Sequence, residues 1–246
     1  MSARRAIAFA VAGLLLGGCS SAAVSTAPTG LSTSPGVSST SAAPAPADTL
    51  PSAAASSRSP VRKAPRPAPP TLAVLPAEPS VPGYSRTKFG PAWTDNNTAV
   101  PDGHNGCDTR NDVLREQLRN ITPAVGCKVH TGVLNDPYTG LVIAFSKTRP
   151  SAVQIDHVVP LHYAWNVGAS RWTMPERVRF ANDTYLELLA VDGPQNQAKG
   201  DDGPSQWLPP SYSYRCAYMQ RFTDVLRTYH LPIVAADLAT ARGCVK

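Results

Sequence analysis

The chain has 246 residues, 25 of them proline, and a formal net charge of +6 from 23 Lys/Arg against 17 Asp/Glu. The charge is unevenly placed: the segment from Gly83 to Lys246 holds 17 Lys/Arg and 15 Asp/Glu, which leaves it only +2. A broadly basic nucleic-acid-binding surface is thereby excluded, so any contact with a polyanion has to come from a local arrangement of side chains.

Residues 1–19, MSARRAIAFAVAGLLLGGC, join Arg4 and Arg5 to an apolar run from Ala6 to Leu16 and a small-residue stretch ending at Cys19. This is the pattern of an export signal. The apolar run is shorter than the roughly 20 residues a membrane-spanning helix needs. Leu16-Gly17-Gly18-Cys19 resembles a bacterial lipobox, which implies a lipid on Cys19 and a protein anchored to the cell membrane, facing the extracytoplasmic side; the alternative is an ordinary cleaved signal with a chance cysteine. Residues 20–82 are rich in Ser, Ala and Pro, hold 13 of the 25 prolines and contain no Phe, Tyr or Trp. Such a segment cannot offset the entropy of ordering and is expected to be a disordered tether.

Residues 83–246 carry all four Trp and all eight Tyr, the composition and length of one domain with a sizeable core. After Cys19 the cysteines are Cys107, Cys127, Cys216 and Cys244. Four cysteines allow three connectivities. Pairing of sequence neighbours, Cys107 with Cys127 and Cys216 with Cys244, is the expectation, because each pair brackets a compact unit in an oxidising compartment. A structural zinc site is the alternative, but no two of these residues have the close spacing such sites use.

In chain order, CDTRNDVLREQL predicts a helix capped by Asp108 or Thr109. KVHTGVL and LVIAFS, separated by NDPYTG, predict a β-hairpin. AVQIDHVV reads as a strand leading into a turn. TMPERVRFAND predicts a short helix with Thr173 as cap and Pro175 in its first turn. LELLAVDG reads as a strand, and PQNQAKG as a short helix closed by Gly200. SYSYRCAYMQRFTDVLRTYH predicts a longer helix, and VAADLATARG a last one stopped by Gly243. The fold class is α+β.

The sequence has no HExxH, no Gly-x-Ser-x-Gly elbow and no P-loop. What remains is Asp156-His157 at the end of a strand, and Asn196 and Lys199 on a short helix after a second strand. Asp156 and Asn196 are hard oxygen donors of the kind Mg²⁺ accepts, and His157 has the ordinary pKa of a neutral-pH base. The competing reading is a packed histidine beside a turn, with Asn196 capping a helix.

GCDTRNDVL, LNDPYTG, IDHVVPL, FANDTYLELLAVDGPQNQAKGDDGPSQWLPP and YRCAY, in this order along the chain and within a likeness running from about Tyr84 to Tyr229, resemble the exported HNH-type (ββα-metal) nucleases related to the C-terminal domain of GmrSD restriction endonucleases. The resemblance implies a ββα-metal finger with surrounding helices and a hairpin. It implies one divalent metal on Asp156 and Asn196, Mg²⁺ with Mn²⁺ as the alternative, and His157 as the activator of water. It also implies that the helix carrying Lys199 lies beside the phosphate, so that Lys199 joins His157 in the catalytic set. Glu187 stands where family members commonly have an Asn that braces the loop of the general base. Arg110 and Arg215 are candidate phosphate contacts; a structural role is the alternative for each. The expected activity is endonucleolytic hydrolysis of DNA, or of RNA, by a lipid-anchored monomer. The alternatives are a catalytically weakened binding lipoprotein and a hydrolase of another phosphodiester.

Overall fold

The computed structural model describes residues 71–100 and 102–244; the export signal, Cys19 and the tether as far as residue 70 lie outside the described residues. The chain is first held at β1 (Val74–Leu75), which pairs in parallel with a strand near the far end, Val74 opposite Ile233 and Leu75 opposite Val234. Leu72, Leu75 and Val81 pack on the main core, and the Val81 backbone is held by Asn166 and Trp165. The expected boundary at Gly83 therefore falls too late. Composition alone hides the change, because a few leucines and valines suffice to seat this prolyl segment.

Helix α1 (Thr109–Gln117) starts where expected, with Asp108 accepting from the Asn111 backbone N–H. Strands β2 (Arg119–Thr122), β3 (Thr131–Asn135) and β4 (Val142–Ser146) form an antiparallel sheet in that order. The predicted hairpin is β3–β4, with Thr131 opposite Ser146 and Asn135 opposite Val142. β5 (Val153–His157) follows, then α2 (Leu161–Val167) and α3 (Met174–Ala181), then β6 (Leu188–Asp192) and α4 (Gly193–Lys199). The chain ends in α5 (Arg215–Thr228), β7 (Ile233–Val234) and α6 (Ala235–Arg242). Disulfides Cys107–Cys127 and Cys216–Cys244 form as expected.

The arrangement is a mixed α+β domain with small sheets. Its centre is the antiparallel pair β5–β6, in register from Val153 opposite Asp192 to His157 opposite Leu188. Alternate residues of a strand point to opposite faces. Val153, Ile155, Leu188 and Ala190 accordingly join Val113, Leu114 and Phe145 in one core, while Leu189 and Val191 join α2 and α5 in the other. Being covered on both faces, β6 reads as an uninterrupted apolar run. Among the described residues no helix is long and apolar enough to cross a membrane.

Candidate functional site

The same alternation separates the two residues of the Asp-His pair. Asp156 shares its face with Leu189 and Val191, and His157 shares the opposite face with Ile155. They are neighbours in sequence that do not bond each other.

Asp156 is almost fully buried and meets three donated hydrogen bonds. The Lys199 ammonium gives one to each carboxylate oxygen, both at 2.8 Å, and its third N–H goes to the His157 carbonyl at 2.7 Å. The Tyr138 hydroxyl donates to Oδ2. Tyr138 is delivered by the NDPYTG turn: Asp136 accepts from Thr139 within the turn and from the backbone N–H of Asp192 at the end of β6. Trp207, Tyr214 and Tyr218 then pack around the Tyr138 ring. Burial first, and the Asp156 carboxylate second, push the Tyr138 phenol well above its ordinary range, so it stays a donor.

This corrects the expectation for Lys199. Only 1% of it is exposed and all three of its N–H groups are spent within the protein, so it has none to offer a phosphate. The last turn of α4 lies against β5, and the side chain runs inward to satisfy the one buried carboxylate there. Lys199 is a positioning residue for Asp156.

His157 donates from Nε2 to the carbonyl of Ala181 at 3.0 Å, a backbone oxygen that can only accept. Its ring stacks on Trp93, with centroids 5.7 Å apart and planes 16° from parallel. Burial, then the positive charge of Arg86, lower its pKa to about 3. The imidazole is therefore neutral, with Nε2 protonated and Nδ1 carrying the free lone pair.

Both residues line a cleft of about 450 Å³ that runs along β5, with Gln154 and Ile155 also contributing to its wall. Asn196 and Gln197 of α4 form another wall, and Arg86, Trp93 and Arg110 a third. Arg110 is anchored by its Nη2 to the carbonyls of Pro150 and Val153, at 3.3 and 3.1 Å. Among the described residues neither Arg86 nor Arg110 has an acidic partner at ion-pair distance. Arg215 is elsewhere: its guanidinium bonds the Pro209 carbonyl and lies over the Tyr212 ring, 5.3 Å from the centroid, and it does not line the cleft. Its position beside Cys216 at the start of α5 puts it in the frame and not in the site.

The oxygen donors can be tested against a divalent ion. An ionised carboxylate has about four acceptor positions, and Asp156 uses three of them on protein donors, which leaves one on Oδ1. Asn196 donates from Nδ2 to Gln154 Oε1 at 2.8 Å, so Oδ1 is its uncommitted end. Among the described residues no three His, Cys, Asp or Glu cluster as an all-protein cage. One carboxylate and one amide oxygen in an open cleft fit Mg²⁺, which keeps several waters and takes substrate phosphate oxygens.

Glu187 is fully buried. Its backbone carbonyl accepts from Val158 N–H at 3.0 Å and its side-chain Oε2 from Val159 N–H at 3.3 Å, both in the loop directly after His157. Oε1 has no partner. Burial, only partly opposed by Lys199, raises its pKa well above the ordinary carboxylate value, so the side chain is a neutral acid. A raised folded-state pKa makes this contribution to stability fully present below the unfolded value and lost as pH rises through the folded one. Glu187→Gln keeps an acceptor for Val159 and cannot ionise. Its melting temperature relative to wild type is expected to climb between pH 4 and pH 9, measured by thermal unfolding across that range.

Four residues of this site carried little signal in the sequence. Tyr138 lies within a stretch legible only as a turn, and Trp93 is legible only as packing. Arg86 and the Ala181 carbonyl are brought in from 71 and 24 residues away from His157.

The sequence profile described as GmrSD restriction endonucleases, C-terminal domain, matches residues 108–237. A protein of Arthroderma benhamiae described as an uncharacterized secreted protein is 41% identical over 157 residues, 63% of this chain and 71% of that one. No solved structure matches.

Proposed function

The chain belongs to the family of GmrSD restriction endonuclease C-terminal domains, and from that premise we propose that it is an exported, metal-dependent endonuclease. The observation that carries the reading is the convergence of an oriented neutral imidazole, a buried carboxylate and an uncommitted amide oxygen in one cleft flanked by two arginines that have no acidic partner among the described residues. In this reading β5, β6 and α4 are the two strands and helix of a ββα-metal finger. Asp156 and Asn196 hold Mg²⁺ or Mn²⁺, which when bound polarises a phosphoryl oxygen and stabilises the leaving oxygen.

His157 Nδ1 takes a proton from water while Nε2–H stays on Ala181. The water oxygen bonds to phosphorus as the bond to the 3′ oxygen breaks, and that oxygen takes a proton from solvent, leaving a 5′ phosphate and a 3′ hydroxyl. A pKa near 3 makes His157 fully available but weakly basic. A phosphate anion in the cleft offsets the charge of Arg86 and raises that basicity where it is needed. Arg110 meets the phosphate from a side chain already fixed to the Pro150 and Val153 carbonyls. Glu187 braces the loop that follows the base, in place of the amide common in the family. Export agrees with the paired cysteines, with the terminal signal pattern and with the description of the fungal relative as secreted. A lipid on Cys19 would hold the enzyme at the cell membrane.

The metal assignment is tested by calorimetric titration of Mg²⁺ and Mn²⁺ into the purified chain. One ion per chain is expected, with affinity falling about tenfold or more in Asn196→Ala, as loss of one hard ligand dictates. Unaltered affinity in that variant would remove Asn196 from the site.

A further inference from the structure

A smaller cavity of about 190 Å³ adjoins the cleft and shares with it Arg86, Trp93, His157 and Leu161. Its remaining walls include Phe89, Ala92, Ala181 and Asn182. They are largely apolar, with one exception. Asn182 is 1% exposed, its Nδ2 donates to the Val178 carbonyl at 2.9 Å, and its Oδ1 has no partner among the described residues. The bond to Val178 fixes which end of the amide is oxygen. An unpaired buried carbonyl oxygen is costly; this one is covered in the structure, so a ligand N–H would reach it only once the Asn182 side chain turned toward the cavity.

From this geometry we infer that the pocket receives one unpaired nucleobase of a single-stranded substrate, whose neighbouring phosphate lies in the cleft at His157. The inference rests on the nuclease reading and narrows its substrate class. Trp93, only partly buried, offers aromatic surface, and the Arg86 guanidinium, 5.9 Å from the Trp93 ring centroid, adds a cation at the junction of the two cavities. Bases stack on such surfaces with little regard to sequence. Their edges carry N–H groups suited to Asn182 Oδ1. A base within a duplex has its faces covered by its neighbours and its edge by its partner, so only an unstacked base enters such an apolar pocket. Arg86, Phe89, Ala92 and Trp93 all precede residue 108, where the family match begins. The subsite is thus built by the N-terminal arm on the family domain.

The test uses the full chain in EDTA, so that binding is read without cleavage. Fluorescence anisotropy compares a labelled mixed-sequence single-stranded DNA with its duplex. Single-strand binding about tenfold tighter or more is expected, the scale of one stacked base. Ala92 is exposed at the rim of the pocket, and Ala92→Phe, checked for an unchanged melting temperature, should bring single-strand affinity down to the duplex level. Duplex binding as tight as single-strand binding, or full single-strand affinity in Ala92→Phe, overturns the subsite. Single-strand preference without cleavage when Mg²⁺ is restored upholds the subsite and removes the nuclease reading. Cleavage of DNA without strand preference does the reverse.

Discussion

Replacing Lys199 with methionine is expected to destabilise the fold by about 3–5 kcal/mol, the usual cost of leaving one member of a buried ion pair alone. For a domain of this size each kcal/mol moves the melting temperature by about 2–4 °C, so a fall on the order of 10 °C should be seen by calorimetry. Methionine keeps most of the volume, which makes the loss electrostatic: Asp156 retains only the Tyr138 hydroxyl, and the His157 carbonyl loses its partner. Adding Asp156→Asn to Lys199→Met removes the orphaned charge and should recover a large part of the stability. It should not recover activity, because the anionic oxygen in the cleft is gone. A surface-like Lys199 would instead give a change below about 0.5 kcal/mol.

The second large effect concerns His157. His157→Ala should lower kcat by about 10²–10⁴-fold, the range expected for removal of a general base, while substrate affinity changes far less. The phosphate contacts assigned to Arg86 and Arg110 do not pass through the imidazole. His157→Gln is the sharper control, because its amide N–H can still reach the Ala181 carbonyl and preserve the packing on Trp93 without supplying a comparable base. Equal losses in the two variants would assign the effect to the base; a Gln variant near wild-type rate would assign it to packing.

Much of the frame was legible from local chemistry. The cap at Asp108, the cap at Thr173 with Pro175 in the first turn, the glycine after Lys199 and the NDPYTG turn are each decided within a few residues, and the elements they bound sit where expected. The cysteine pairing was legible for a related reason, since each pair closes a short local unit. α2 carries little helical periodicity because six of its seven residues are buried, which erases the polar face that marks a helix. The site was legible only in part. Asp156 and Asn196 come together because two strands and a helix follow one another, a pattern visible along the chain. Whether Lys199 points outward or inward depends on Tyr138 and Asp156, which are 61 and 43 residues away, and no local pattern encodes that. The stretch from Leu72 to Pro82 was hidden for the opposite reason: its composition resembles the tether before it, while a handful of side chains, Leu72, Leu75 and Val81, do the seating.

The most direct test of the central claim is cleavage itself. The purified chain, with disulfides intact, is incubated with single-stranded and plasmid DNA and with RNA, in Mg²⁺ or Mn²⁺ and in EDTA, beside His157→Ala. Cleavage that requires the metal, leaves 5′ phosphate ends and falls to background in His157→Ala is the predicted result. A well-folded chain that binds the ion yet cuts none of these substrates, or cutting that persists undiminished in EDTA or in His157→Ala, would contradict the account.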